Sequence, residues 1–289
     1  MHTRDAWAIK PLADMSSADF NDWQELLERR TGIVVSPQRR SFLLTNLTAR
    51  MRELGIEDYA SYYRQVTEGP RGAVEWVTLL DRLTVQETRC FRHSSSFARL
   101  ARYLEDRLEQ DQGVPRPWSL WSVGCATGEE AYSLAMQADS LLRARGQEPR
   151  FGVTATDISL SALSRARKGL YPPSRLTQVE PSMLETYFNP QADGRLQVVD
   201  SLAERLCFAR LNVLDLAKAP MAGMDVIFCQ NLLIYFHRWR RHEILNHLAE
   251  RLAPGGLLVI GVGEAVDWQH ETMLPVADDQ VLAFTRKKQ

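Results

Sequence analysis

Between Trp118 and Leu142 the chain reads WSLWSVGCATGEEAYSLAMQADSLL, and this stretch limits the folds open to it. A short apolar run from Leu120 stops at Gly124, small residues follow to Gly128, and Leu134, Ala135, Ala138, Leu141 and Leu142 then recur at helical spacing. The pattern predicts a strand, a glycine turn and a helix. Glycines at both ends of the loop permit a close backbone approach, and the helix would aim unpaired N–H groups and its positive dipole end at a ligand. Such a loop suits a nucleotide-like molecule.

The helix start narrows the ligand. A dinucleotide-binding loop carries Gly-x-Gly-x-x-Gly and leaves the helix start free for pyrophosphate. Here Glu129 and Glu130 stand at that start. Two carboxylates repel pyrophosphate and suit a cation, and a nucleoside bearing an ammonium and a sulfonium is S-adenosylmethionine. The residues therefore favour methyl transfer over hydride transfer. A second reading stays open, in which both acids only complement the helix dipole.

With 289 residues, 45% of them hydrophobic, the chain is long enough for one large domain and a smaller one. A formal net charge of -1 argues against a general nucleic-acid binder. No apolar run approaches membrane-spanning length, and MHTRDAWAIK at the start lacks the apolar core of a signal peptide, so a cytoplasmic protein without membrane insertion is expected. Cys90, Cys125, Cys207 and Cys229 are widely spaced and the six histidines are scattered, so neither a disulfide framework nor a metal site is expected.

Residues 1–83 read as a helical domain and 84–289 as an α/β domain. In the first, Phe20, Trp23, Leu26 and Leu27 share a helix face ending at Gly32. Ser36-Pro37 would open a second helix closed by Gly55, residues 57–66 form a third, and Gly69-Pro70-Arg71-Gly72 would interrupt the chain before helical spacing resumes at Val74. From Arg29 to Arg52 there are six arginines and no acid. That basic stretch either docks an acidic partner or is a solvated helix face.

In the second, residues 151–157 predict another parallel strand with Asp157 at its C-terminal edge, where an acid binds ribose hydroxyls or caps the helix 159–168. An insertion at about 172–210 would hold a helix at 182–188 and two antiparallel strands, 196–199 and 206–209. Strand 225–229, helix 240–252, a turn at Pro254-Gly255-Gly256 and strand 257–262 complete a doubly wound, Rossmann-like α/β domain.

Four segments in order, GCATGEEAYSLAM, ATDISLSALSRARKGLY, LNVLDL and FCQNLLIYF, resemble the CheR family, the S-adenosylmethionine-dependent glutamate methyltransferases of chemotaxis receptors. TVQETRCFRHSSSF resembles the motif preceding that family's catalytic domain, and GIVVSPQRRSFLLTNLTARMRELG its helical N-terminal domain. The resemblance implies that Gln86, Thr88 and Arg92 contact the cofactor, that Glu129 and Glu130, beside Gly124, take its methionine end, and that Asp157 takes the ribose. It further implies that Asn212 and Val213 flank the adenine, that Asn231 and Leu232 line the cofactor after the fourth strand, and that Arg92 and Tyr235 lie near the transferred methyl as catalytic residues.

The implied substrate is the acidic helical cytoplasmic domain of a methyl-accepting chemoreceptor, docked on Arg39, Arg40 and Arg50, with S-adenosylhomocysteine as product. Gln230 stands where the family usually has arginine, and Gln86 where asparagine is common. The loop between Phe188 and Gly194 is shorter than in members that dock a receptor C-terminal peptide, which implies a peptide-independent member; a monomer is expected as well. Two other readings compete: a methyltransferase for a small molecule or RNA, and a cofactor-binding regulator without catalysis.

Overall fold

The computed structural model describes residues 14–36, 39–110, 116–265 and 267–288. The chain divides after Val85 into two units. In the first, α1 (Ser17–Thr31) opens with a capping box: Ser16 Oγ accepts from the Asp19 N–H at 3.0 Å, and Asp19 accepts from the Ser16 N–H. α2 (Arg40–Leu54), α3 (Tyr59–Thr67) and α4 (Gly69–Leu83) follow, and Trp23, Leu26, Leu43, Leu47, Met51, Tyr62, Leu79 and Leu80 supply the core.

One helix start departs from expectation, and another, the Ser36–Pro37 opening, falls on residues 37–38 outside the described ones, with the Arg39 N–H donating to the Ser36 carbonyl at 2.8 Å just before α2. Gly69-Pro70-Arg71-Gly72 is no interruption but the first turn of α4. Proline is tolerated there because a first-turn N–H has no intrahelical partner. Gly72 lets α4 cross α3 closely, since a Cβ on it would stand 2.8 Å from the Gln65 carbonyl oxygen.

The second unit opens with α5 (Ser94–Gln110), followed by β1 (Trp118–Val123), α6 (Glu129–Ala144), β2 (Phe151–Asp157) and α7 (Leu160–Lys168). After β3 (Leu170–Tyr171), α8 (Pro181–Tyr187), β4 (Phe188–Pro190), β5 (Leu196–Val198), α9 (Asp200–Ala203) and β6 (Leu206–Arg210) come β7 (Met224–Cys229), α10 (Arg238–Arg251), β8 (Leu252–Ile260), β9 (Met273–Pro275) and β10 (Leu282–Arg286).

The main sheet has the order β6-β2-β1-β7-β8-β10-β9. Pairings from β6 to β8 are parallel, and β10 runs antiparallel to both β8 and β9. Every residue of β7 is buried, as a central parallel strand covered on both faces requires. The order reverses between β1 and β7, so the loops leaving their C-terminal ends diverge and open a crevice. This is a Rossmann-like α/β domain, joined to an all-helical N-terminal unit and carrying a small antiparallel insertion.

The insertion differs from the expected pair of strands. Its sheet is β3-β5-β4, whereas residues 206–209 belong to β6, paired parallel with β2 at the main sheet's edge. Alternation of apolar residues gives a strand but not its partner. β9 and β10 are additions that the reading of alternating strands and helices did not include.

Candidate cofactor and methyl-transfer site

The loop after β1 is hung on the end of β2. The N–H groups of Gly124 and Cys125 both donate to the Thr156 carbonyl, at 2.8 and 3.0 Å, and the Ala126 N–H donates to Asp157 Oδ2 at 2.9 Å. Gly124, Ala126 and Gly128 all have positive φ, which folds the loop into a tight turn whose N–H groups are taken up by Thr156, Asp157 and Cys125. A Cβ on Gly128, at φ 94°, would stand 2.8 Å from Ala166 Cβ, which holds α7 against the loop. Tyr171 locks the same turn by donating to the Thr127 carbonyl at 2.7 Å.

Asp157 Oδ1 also accepts from the Ser159 N–H at 2.8 Å, and Ser159 Oγ caps α7 by accepting from the Ala162 N–H. Ser159 is therefore the cap of α7, and Asp157 ties the glycine loop to the head of that helix. Gln86 donates to Ser159 Oγ at 3.0 Å, which brings it to the same corner. Asn212 and Val213 follow β6, next to β2 in the sheet, and Asn212 accepts from the Leu214 N–H at 3.1 Å.

At the head of α6, Glu129 is 1% exposed and accepts from Thr127 Oγ1 at 2.7 Å, while Glu130 accepts from Ser122 Oγ at 2.7 Å. Burial pushes Glu129 above the usual carboxylate range. Burial also pushes Glu130 up to about 7; the charge of Glu264 adds to the shift, and the Ser122 bond and the Arg92 charge oppose it. Two carboxylates that resist ionising at a helix start are poor company for an anion and are relieved by a cation.

The segment before α5 folds over this helix start. The Phe91 N–H donates to Ser133 Oγ at 3.0 Å, Arg92 donates to the Glu87 carbonyl at 2.9 Å, and Arg175 donates to the Thr88 carbonyl. After β7, Asn231 sits at φ 58°, and Leu232 packs where a Cβ on Gly124 would meet it at 3.1 Å. Tyr235 ends the short 3₁₀ turn Leu233–Tyr235 that follows. Thus Gln86, Thr88, Arg92, Gly124, Glu129, Glu130, Asp157, Asn231, Leu232 and Tyr235 all sit on segments at the C-terminal ends of β1, β2 and β7 or folded over them.

Three participants, Arg175, His93 and Glu264, escaped the sequence reading, and a fourth, Gln230, stood in it only as a departure from the family. Arg175 lies 4.0 Å from Glu129 and ties the insertion to Thr88. His93 Nε2 lies 2.8 Å from Asn231 Oδ1. Gln230 donates to Ser96 Oγ at 2.9 Å, so it faces α5 inside the core, as a buried neutral group. Glu264, in the turn after β8, is 2% exposed, and both its oxygens lack a partner at hydrogen-bond geometry. The backbone N–H groups of Gly261, Leu233 and Asn231 face it, yet burial still pushes it up to about 7. No run or spacing marks these residues, because their partners are distant in sequence.

The basic stretch belongs to the other unit. Arg50 is engaged there: Nη2 lies 2.7 Å from Glu75 Oε2 and Nη1 2.9 Å from Glu53. Arg40 is exposed, with its guanidinium 4.5 Å from the Phe20 ring centroid, and Arg39 is half-buried. Among the described residues no cluster of His, Cys, Asp or Glu has metal-binding geometry, and no helix is long and apolar enough to cross a membrane.

Residues 86–282 match the family described as "CheR methyltransferase, SAM binding domain", and residues 18–84 match "CheR methyltransferase, all-alpha domain". The chain is 34% identical over 254 residues to the chemotaxis protein methyltransferase of Escherichia coli K12, covering 86% of this chain and 85% of the relative. It is 32% identical to the enzyme of that name from Salmonella typhimurium LT2, covering 86% and 84%. Chemotaxis protein methyltransferase 1 of Pseudomonas aeruginosa is 31% identical, over 87% of this chain and 92% of the relative.

Proposed function

This chain belongs to the CheR family of S-adenosylmethionine-dependent chemotaxis methyltransferases, and on that premise we propose that it esterifies glutamate side chains on the cytoplasmic helical domain of chemoreceptors. The observation that carries the reading is the pair of carboxylates at the head of α6, Glu129 and Glu130, in place of a bare helix start. They fit a ligand whose reacting end is cationic. Glu129 and Glu130 would hold the methionine end, Asp157 the ribose, Asn212 and Val213 the adenine edge, and Leu232 against Gly124 the apolar wall.

Bound there, S-adenosylmethionine supplies a methyl group on a sulfonium, which the substrate carboxylate accepts as a γ-glutamyl methyl ester while S-adenosylhomocysteine leaves. No general base is required, since a free glutamate with a pKa of about 4.3 is already ionised. The work left to the protein is positioning, which can lower a barrier by roughly 7–11 kcal/mol. Arg92, braced on the Glu87 carbonyl and within the field of Glu130, orients the incoming carboxylate. Tyr235 shapes the methyl site from the turn after Asn231.

Arg39 and Arg40, at the start of α2, would steer the acidic receptor surface by charge complementarity, with salt weakening the encounter. Engagement by Glu75 and Glu53 makes Arg50 a support for this face rather than a contact. The short loop between β4 and β5 supports action without a receptor C-terminal peptide. The test is transfer of radiolabelled methyl to purified receptor cytoplasmic domains, with alkaline release of methanol as the ester assay. Base-labile label that disappears in Arg92→Ala supports the proposal. Cofactor binding without label on any receptor refutes it in favour of a regulator or another substrate.

A further inference from the structure

A second concentration of charge lies at the other end of the sheet. α5 places Arg99, Tyr103, Asp106, Arg107 and Gln110 on one face, and that face borders a cleft of about 290 Å³ closed by Gly255 and the chain's last strand. Arg286, Lys287 and Lys288 complete the lining, so five cations surround one acid, Asp106. The whole chain carries 35 basic against 36 acidic residues, and nothing in its composition anticipates such an excess. Tyr103 fixes the place, its hydroxyl 3.1 Å from the carbonyl oxygens of Asp225, near the start of β7, and Gly255. β7 then runs to Cys229 before the cofactor loop begins, so about one strand length, roughly 17 Å, separates the two sites.

Several of these cations are held in shape by neighbours that leave donors over. Lys288 donates to Gln110 Oε1 at 2.8 Å, Arg286 to the Glu250 carbonyl at 3.1 Å, and Arg107 lies 3.7 Å from Asp225. The Nε groups of Arg99 and of Arg107 are both buried without a hydrogen-bond partner. A buried N–H without an acceptor is destabilising, and here two such donors belong to side chains that line one positively charged cleft. Guanidinium forks with adjacent ammonium groups are the donor set that recognises phosphate oxygens.

We propose that this cleft binds a small anion carrying more than one phosphate group, at a site separate from the cofactor crevice. The cleft is too small for a folded partner, and five cations exceed what a single carboxylate or orthophosphate needs. The proposal does not depend on which methyl acceptor the enzyme uses.

Calorimetric titration of the full chain, saturated with S-adenosylhomocysteine to block the cofactor crevice, tests it with sodium tripolyphosphate and with ATP as separate probes. Tripolyphosphate is expected to bind with a sub-millimolar Kd that weakens as salt rises. Tighter binding of ATP identifies a nucleotide ligand, and equal binding a bare phosphate chain; both support the site. Lys287→Glu changes only an exposed side chain and is expected to weaken binding about tenfold, with Arg99→Gln further reducing it, while affinity for S-adenosylhomocysteine stays unchanged. No heat from either probe at millimolar concentration, or binding that Lys287→Glu leaves unaltered, overturns the proposal.

Discussion

His93 Nε2 lies 2.8 Å from Asn231 Oδ1, joining the segment that leads into α5 to the loop that leaves β7. Asn231 holds φ 58°, a left-handed conformation that asparagine adopts more readily than most non-glycine residues and that its surroundings here help to fix. His93 is one of those surroundings. On the proposed reading it positions Asn231 against the cofactor without touching it. His93→Ala should weaken S-adenosylhomocysteine binding by roughly five- to tenfold, the worth of one hydrogen bond of about 1 kcal/mol plus loop order. His93→Gln, whose amide donor has similar reach, should recover most of the loss. Calorimetry on both variants decides this; equal loss in both would leave only a packing role for the ring.

Asp157 is asked to do two things with one carboxylate. It accepts from the Ala126 and Ser159 N–H groups at 2.9 and 2.8 Å, and in the proposed complex it also accepts from ribose hydroxyls. Asp157→Asn puts an NH₂ group against one of those backbone donors. Cofactor affinity should fall by at least about tenfold, since charged acceptors contribute about 1.5–3 kcal/mol each. Receptor affinity, measured separately with saturating cofactor, should change far less.

Glu130 and Glu264 give the site a pH dependence whose sign can be worked out. Both are pushed up to about 7, from an ordinary value of 4.5. Between these limits the folded chain binds more protons than the unfolded chain, so stability falls as pH rises from about 4.5 through 7 and levels off above. Glu264→Gln removes one of these titrations. Relative to the parent, the variant should therefore gain on the order of 2 kcal/mol between about pH 5.5 and about pH 8, read by urea unfolding. Cofactor affinity should move the other way, rising across the same window as Glu130 ionises to meet a cation. Glu130→Gln should flatten that rise.

The glycine loop and its flanking strands were legible because their signals are local. Gly124 and Gly128 need positive φ, and the apolar period changes between β1 and α6 within a few residues. Asp157 was legible for the same reason, standing as the last residue of a strand followed by a helix. Partnership was not legible. Leu206–Arg210 has the alternation of a strand in either sheet, and only its parallel pairing with β2 in the folded chain shows that it joins the main one. His93 and Arg175 meet partners 46 to 138 residues away in sequence, and Glu264 faces only backbone N–H groups, so no spacing rule marks them. Gln230 posed the opposite difficulty: its lost charge looked consequential in sequence, but the side chain is buried, its Nε2 donating to Ser96 Oγ while its Oε1 has no hydrogen-bond partner.

The N-terminal unit separates structural from surface arginines. Glu75 is 7% exposed and accepts from Arg50 Nε at 2.8 Å, from Arg50 Nη2 at 2.7 Å and from the Tyr62 hydroxyl at 2.8 Å. Burial alone would push Glu75 up, but the bonds from Arg50 and Tyr62 outweigh it and keep the carboxylate ionised. Arg50→Ala strands that charge, at a cost of about 3–5 kcal/mol, and should lower the melting temperature whatever it does to activity. Arg40 is exposed, so Arg40→Glu should alter stability by no more than about 0.5 kcal/mol. On the proposed docking role, Arg40→Glu should nonetheless cut receptor methylation several-fold, more strongly at low salt, with cofactor affinity unchanged. Melting curves beside methylation rates test both statements together. Arg40→Glu with full receptor methylation would remove this face from docking, and Arg50→Ala with an unshifted melting curve would remove the ion pair from the core's support.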